Sequence, residues 1–112
     1  MAKGDLTMAW LSLVIAGIIE IGWAISLKYT EGFTRFWPSV GMLAAAVASF
    51  FFLSTSLKSI PVGTAYVVFT GIGAAGTVLF GIFFLGESRD FLRLAFIILI
   101  IIGTIGLKFA GE

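Results

Sequence analysis

Four long apolar stretches, separated by short polar breaks, take up nearly all of the 112 residues. A helix that crosses a bilayer needs about 20 mostly apolar residues. Stretches at about 8–28, 39–58, 62–85 and 91–109 meet that requirement. Lipid offers no water to satisfy backbone N–H and C=O groups, so such stretches must close their own hydrogen bonds as helices. The breaks are the segments Lys28 to Pro38, Lys58 to Pro61 and Gly86 to Asp90. Connections this short force neighbouring helices to run antiparallel. The predicted fold is therefore an all-α membrane protein, a single domain of four transmembrane helices with no room for a soluble domain.

Composition agrees. The chain is 60% hydrophobic and 12% charged, whereas a soluble domain is about 45–50% apolar and about 25% charged. A net charge of +1 argues against nucleic acid, which is met by clustered basic residues. Cysteine and histidine are absent. That removes disulfides, thiol chemistry and the commonest metal ligand. Lys3 followed by an apolar run imitates a signal peptide. The run is too long for one, Glu20 interrupts it, and no small-residue cleavage site follows.

Lys and Arg near the helix ends ordinarily fix orientation. Lys3, Lys58 and Lys108 fall on the side of the termini, and Lys28, Arg35, Arg89 and Arg93 on the other. This near balance sets no orientation. Either another signal does so, or the chain inserts both ways and pairs antiparallel, as inverted repeats do in transporters. Four helices are few for enclosing a pathway, which favours a dimer.

Glu20 is the chemically loaded residue. It lies roughly 18 Å beyond Met8 along a helix, at 1.5 Å per residue, deep in a core about 30 Å thick. A carboxylate there costs at least a few kcal/mol, so it should face a cavity or a partner. Lys28, eight residues on, is out of reach, leaving a proton, a ligand or another subunit to neutralise it. Ala16, Gly17, Trp23 and Ala24 share its helix face. Trp23 adds an aromatic wall and one N–H donor. Trp10 and Trp37, near helix ends, suit interfacial anchoring. Ser49 is a hydroxyl of comparable depth on the second helix.

The third stretch carries Tyr66, Phe69, Thr70, Gly73 and Thr77 at spacings of three and four. Tyr66 is a possible donor to the carboxylate. The threonines either join it or bond back to their own helix. Gly71, Gly73 and Gly76 spell a dinucleotide-binding fingerprint, but the strand and βαβ setting it requires are missing. Glycine weakens a helix, so this run reads as a flexible or kinked segment. Gly103 and Gly106 on the fourth helix suggest a close helix–helix contact, such as a dimer seam.

These residues resemble the small multidrug resistance transporters, and within them the guanidinium-exporter branch. The resemblance covers Met8 to Lys108. It is strongest in AGIIEIGWAISLKYTEGFTRFWPS, SLKSIPVGTAYVVFTGIGAAGT, LGES and GTIGLK. Trp23, three residues after Glu20, is typical of that branch. The resemblance implies an antiparallel dimer with both Glu20 carboxylates at one shared site, lined or oriented by Trp23, Ser49 and Tyr66. Gly17 matches a small position beside the carboxylate. The family usually has tryptophan where this chain has Phe69. The sequence around Phe69 looks like one half of the paired members that form heterodimers, so the partner is an identical chain or a paralogous subunit.

The expected activity is proton-coupled antiport, with protons and a guanidinium-like cation competing for the carboxylates and the proton gradient as energy source. No cofactor is expected. The same site could instead export quaternary ammonium ions. A small dual-topology channel would need a continuous polar track, and only scattered hydroxyls are present. A scaffold role leaves Glu20 unexplained. An enzyme is disfavoured, since no nucleophile–base pair or metal cluster is visible. The expected location is the bacterial inner membrane.

Overall fold

A computed structural model describes residues 3–110 of the chain. The Lys3 side chain, counted above among the terminal-side cations, lies outside what is described. Four helices follow one another: α1 (Lys3–Tyr29), α2 (Phe36–Ser56), α3 (Val62–Phe84) and α4 (Phe91–Ala110). All four are long and apolar enough to cross a membrane. Their Cα trace forms a slab of 44 × 37 × 18 Å.

Two helices begin earlier than expected. α1 starts at Lys3 because nothing before Met8 breaks a helix, and Asp5 in its first turn suits the positive end of the helix dipole. α2 starts at Phe36, so Pro38 lies inside its first turn, where the missing N–H had no partner to lose. Thr30 organises the α1–α2 connection. Its buried hydroxyl donates to the Leu27 carbonyl (2.8 Å) and accepts from the Phe33 amide (3.3 Å). Its own carbonyl accepts the Thr34 and Arg35 amides (3.0 and 3.1 Å). Gly32 is left-handed (φ 71°), and Glu31 and Phe33 are drawn into the same region beside it (φ 49° and 66°).

The α3–α4 connection turns at left-handed Gly86 (φ 71°). The Glu87 amide then reaches back to the Gly81 carbonyl (3.0 Å). The Glu87 carboxyl packs against Gly81, which has no room for a Cβ. Arg93 pairs with that carboxyl (2.6 Å) and donates to the Ser88 carbonyl (3.0 Å). Some polar side chains in the spans are satisfied locally. Ser26 and Thr55 donate to carbonyls four residues back (2.9 and 3.0 Å), the usual device where water is absent.

α1 is the hub, packing on both α2 and α3, and α4 packs mainly on α3. The core joins Ala9, Trp10, Leu13 and Ala16 of α1 to Ala65, Val68 and Phe69 of α3, with Ile60 from the turn. Trp10 departs from the expected interfacial role. It is 6% exposed, with the Lys108 ammonium 5.2 Å from its ring centre, whereas Trp37 is 76% exposed. α1 extends to Lys3, so Trp10 stands two turns inside the helix on its packed face.

Small and large side chains interlock along the α1–α3 seam. Gly17 of α1 receives Ile72, and Gly76 of α3 receives Ile21. A Cβ on Gly17 would stand 2.8 Å from the Ile72 Cβ, an atom fixed to the backbone. Gly17→Ala should therefore lower the melting temperature in detergent by several degrees. Gly41→Ala, where a Cβ meets nothing, should hold or raise it, since alanine favours a helix by about 0.5–1 kcal/mol. Equal melting temperatures for the two variants would contradict this packing.

Candidate functional site

Glu20 sits in the α1–α3 seam, between the two interlocked pairs. Its carboxyl presses on Gly73 so closely that a Cβ there would overlap it. Gly73 is buried, and its missing side chain is what admits the acid. The seam opens into a cleft of about 260 Å³ lined by Glu20, Ala24, Thr70, Gly73, Thr77 and neighbouring apolar groups. The Glu20 Oε1 and Thr77 Oγ1 atoms are both buried and, among the described residues, without a hydrogen-bond partner. On the C-terminal side of Glu20, α1 carries a charge only at Lys28, and the α2 and α3 helices carry none. Glu20 thus lines a cleft.

The other candidate residues take distinct places. Trp23 is half-buried one turn beyond Glu20, and its indole N–H is shielded without an acceptor. An aromatic run continues from it: Trp23 to Phe50 (6.1 Å between ring centres), Phe50 to Phe69 (6.2 Å) and Phe69 to Tyr66 (6.4 Å). Phe50 was not singled out from sequence. Its only signal was its place beside Ser49 in an otherwise aliphatic helix face. Phe69 is 2% exposed and belongs to the core of the single chain.

Ser49 is fully buried, and its hydroxyl donates to the Ala16 carbonyl (2.8 Å). That carbonyl lies one turn before Glu20, so Ser49 ties α2 to the helix carrying the acid. Tyr66 is 60% exposed and lines a different opening. This is an apolar groove of about 530 Å³ between α3 and α4, shared with Thr70, Gly71, Gly103 and Thr104. Within one chain the structure therefore separates Tyr66 from the Glu20 cleft, with Thr70 lining both.

The α3 glycines mark close approaches in an unbroken helix. Gly71 meets the Thr104 hydroxyl of α4, Gly73 meets Glu20 and Gly76 meets Ile21. Gly103 and Gly106 have open space around them. Ile97 is the one buried residue on α4. Thr77 does not make the back-bond that a membrane threonine ordinarily makes.

An integral membrane protein of four helices with a lone carboxyl in a mid-span seam is the class these features define. Residues 8–100 match the Small Multidrug Resistance protein family, and the chain belongs to it. It is 54% identical over 104 residues to the guanidinium exporter of Yersinia pestis, covering 93% of this chain and 100% of that one. It is 54% identical over 101 residues to the guanidinium exporter of Escherichia coli K12 (90% and 96%). It is 50% identical over 104 residues to that of Proteus vulgaris (93% and 100%). The transporter resemblance read from sequence thus holds across the chain.

Replacing Ser49 by alanine leaves the Ala16 carbonyl without its inter-helix donor. A loss of about 1 kcal/mol is expected, seen as a lower thermal midpoint in detergent. An unchanged midpoint would mean that the bond contributes nothing to joining α1 and α2.

Proposed function

We propose that this protein exports guanidinium or small substituted guanidinium cations across the bacterial inner membrane in exchange for protons. The carrying observation is the placement of Glu20: one carboxyl, deep in the spans, at the wall of a cleft and with no cation beside it. An ionisable group in such a place marks an ion or proton pathway. The relatives named above as guanidinium exporters support the choice of cargo.

The chemistry fits that cargo. Guanidinium is planar and offers paired N–H donors that match the two oxygens of a carboxylate. Trp23 supplies a flat aromatic face near Glu20, suited to a cation–π contact. A proton and the cation each neutralise the same carboxyl, so they exclude one another. Exchange follows when the site faces one side at a time and turns over only when occupied. The cargo leaves unchanged, so this is transport and not enzymatic conversion.

The working unit in this proposal is an antiparallel dimer, of two identical chains or of this chain with a paralogous subunit. Dimerisation would bring Glu20 of both subunits to one chamber, with Trp23 and Tyr66 as its aromatic lining, Phe69 packed behind them in the core, and Gly17 and Ser49 as its support. The apolar groove at Tyr66 and the open faces of Gly103 and Gly106 then lie where a partner helix can seat. Gly71, Gly73 and Gly76 would let α3 slide between two packings. A guanidinium ion, rich in N–H groups, suits this chamber better than a quaternary ammonium ion, which has no N–H to give.

The protein expressed alone and placed in proteoliposomes should take up guanidinium in exchange for protons. Glu20→Gln should lower that exchange by about a hundred-fold or more, as expected when the charge facing a shielded cation is removed, while the variant still purifies as a folded species. Guanidinium-driven proton movement retained by Glu20→Gln would refute the assignment. Fast flux uncoupled from protons in the wild type would identify a channel.

A further inference from the structure

Glu20 needs two environments, one for each of the species it carries. A bound cation requires an ionised carboxylate exposed to the chamber. A bound proton leaves a neutral acid, with one O–H donor and an acceptor oxygen. The seam described above suits the second, because one carboxyl oxygen there is shielded and unpaired among the described residues. The carboxyl there lies against the bare backbone of Gly73, between Ala24, Ala74 and Val78. An ionised group in such walls would be costly.

One turn beyond Gly73, on the same face of α3, stands Thr77, lining the same cleft. Its hydroxyl oxygen and Glu20 Oε1 are both shielded and both unpaired among the described residues. Two unmatched polar atoms in one apolar cleft are an unstable pairing of needs, because each pays its desolvation without return. A side-chain rotation that joined them would satisfy both at once. A hydroxyl complements a carboxylic acid in either direction, as donor or as acceptor.

We infer that Gly73 and Thr77 form a docking niche on α3 for the proton-loaded Glu20 side chain, with the Thr77 hydroxyl as its hydrogen-bond partner. Thr77 is a positioning residue in this account. It holds the neutral acid out of the chamber while the proton-loaded protein reorients, and the cation-loaded step leaves it unused. Titratable and charged groups do not intrude. On α1 the next is Lys28, eight residues from Glu20, α2 carries none, and α3 offers only Tyr66, which opens on the other groove.

The inference rests on the antiport reading, and one experiment separates the two. Proteoliposomes are loaded for two modes: uptake of radiolabelled guanidinium driven by a proton gradient, and guanidinium–guanidinium exchange at equal pH. The first mode needs the proton-loaded step and the second does not. Thr77→Val keeps the shape and removes the hydroxyl. It should lower the ratio of proton-driven uptake to guanidinium exchange by about five-fold or more, the weight of one buried hydrogen bond. Thr77→Ser should restore the ratio. If Thr77→Val fails to fold, Thr77→Ala removes the same hydroxyl with less bulk, and the same ratio is read. Equal loss of both modes, an unchanged ratio, or a serine variant as impaired as the valine one would overturn the niche and leave antiport standing. A wild type lacking proton-driven uptake would overturn antiport and the niche together.

Discussion

The contact on which this structure turns is the one between the Glu20 carboxyl and the bare backbone of Gly73. A carboxyl in the middle of a membrane has few stable surroundings: a cation, water, or a dipole close enough to touch. Here it is set into the seam of two helices that approach closely because glycines alternate with isoleucines along it. Gly17 takes Ile72, Gly73 takes Glu20 and Gly76 takes Ile21. The acid thus occupies one position in a run of interlocked side chains. Anything that shifts α3 along α1 changes what Glu20 touches, which gives the helix seam a direct mechanical link to the charge it holds.

The single chain is also visibly unfinished. α4 packs mainly on α3 and buries one residue. Large apolar side chains such as Phe96, Ile102 and Phe109 stand exposed on it, facing lipid or a partner. Tyr66 and Gly103 share an open apolar groove, and the shielded indole N–H of Trp23 has found no acceptor among the described residues. In the proposed dimer, a second subunit on this side would supply a further wall to the chamber. The aromatic run from Trp23 through Phe50 and Phe69 to Tyr66 extends from beside Glu20 to the groove on the other face of α3. The two openings meet at Thr70 and Ala74, which line both.

Much of this was legible in the sequence because lipid imposes so few solutions. Span length and the short polar breaks gave four antiparallel helices, and depth along α1 gave Glu20. The errors fell where local pattern met tertiary packing. Trp10 read as an anchor because aromatic residues gather at interfaces, yet α1 extends back to Lys3 and carries Trp10 into the core under Lys108. Pro38 read as a boundary, yet the first turn of α2 tolerates it. The α3 glycines read as a weak point in a helix. In the structure Gly71, Gly73 and Gly76 each also accommodate a named neighbour on another helix, information that no single-helix pattern contains. Ser49 was placed at the right depth, but its carbonyl partner on α1 could only be seen once the helices were packed. Phe50 and the unpaired Thr77 hydroxyl depend on side-chain orientation across helices, which spacing alone does not give.

The central claim is that cargo and proton occupy the same carboxyl by turns. It is tested most directly by adding guanidinium to the purified protein in weakly buffered detergent solution and following free protons. Release of protons in proportion to cation bound, lost in Glu20→Gln, is the result expected of one shared group. Saturable guanidinium binding with no proton release, at a pH where Glu20 holds its proton, would contradict it.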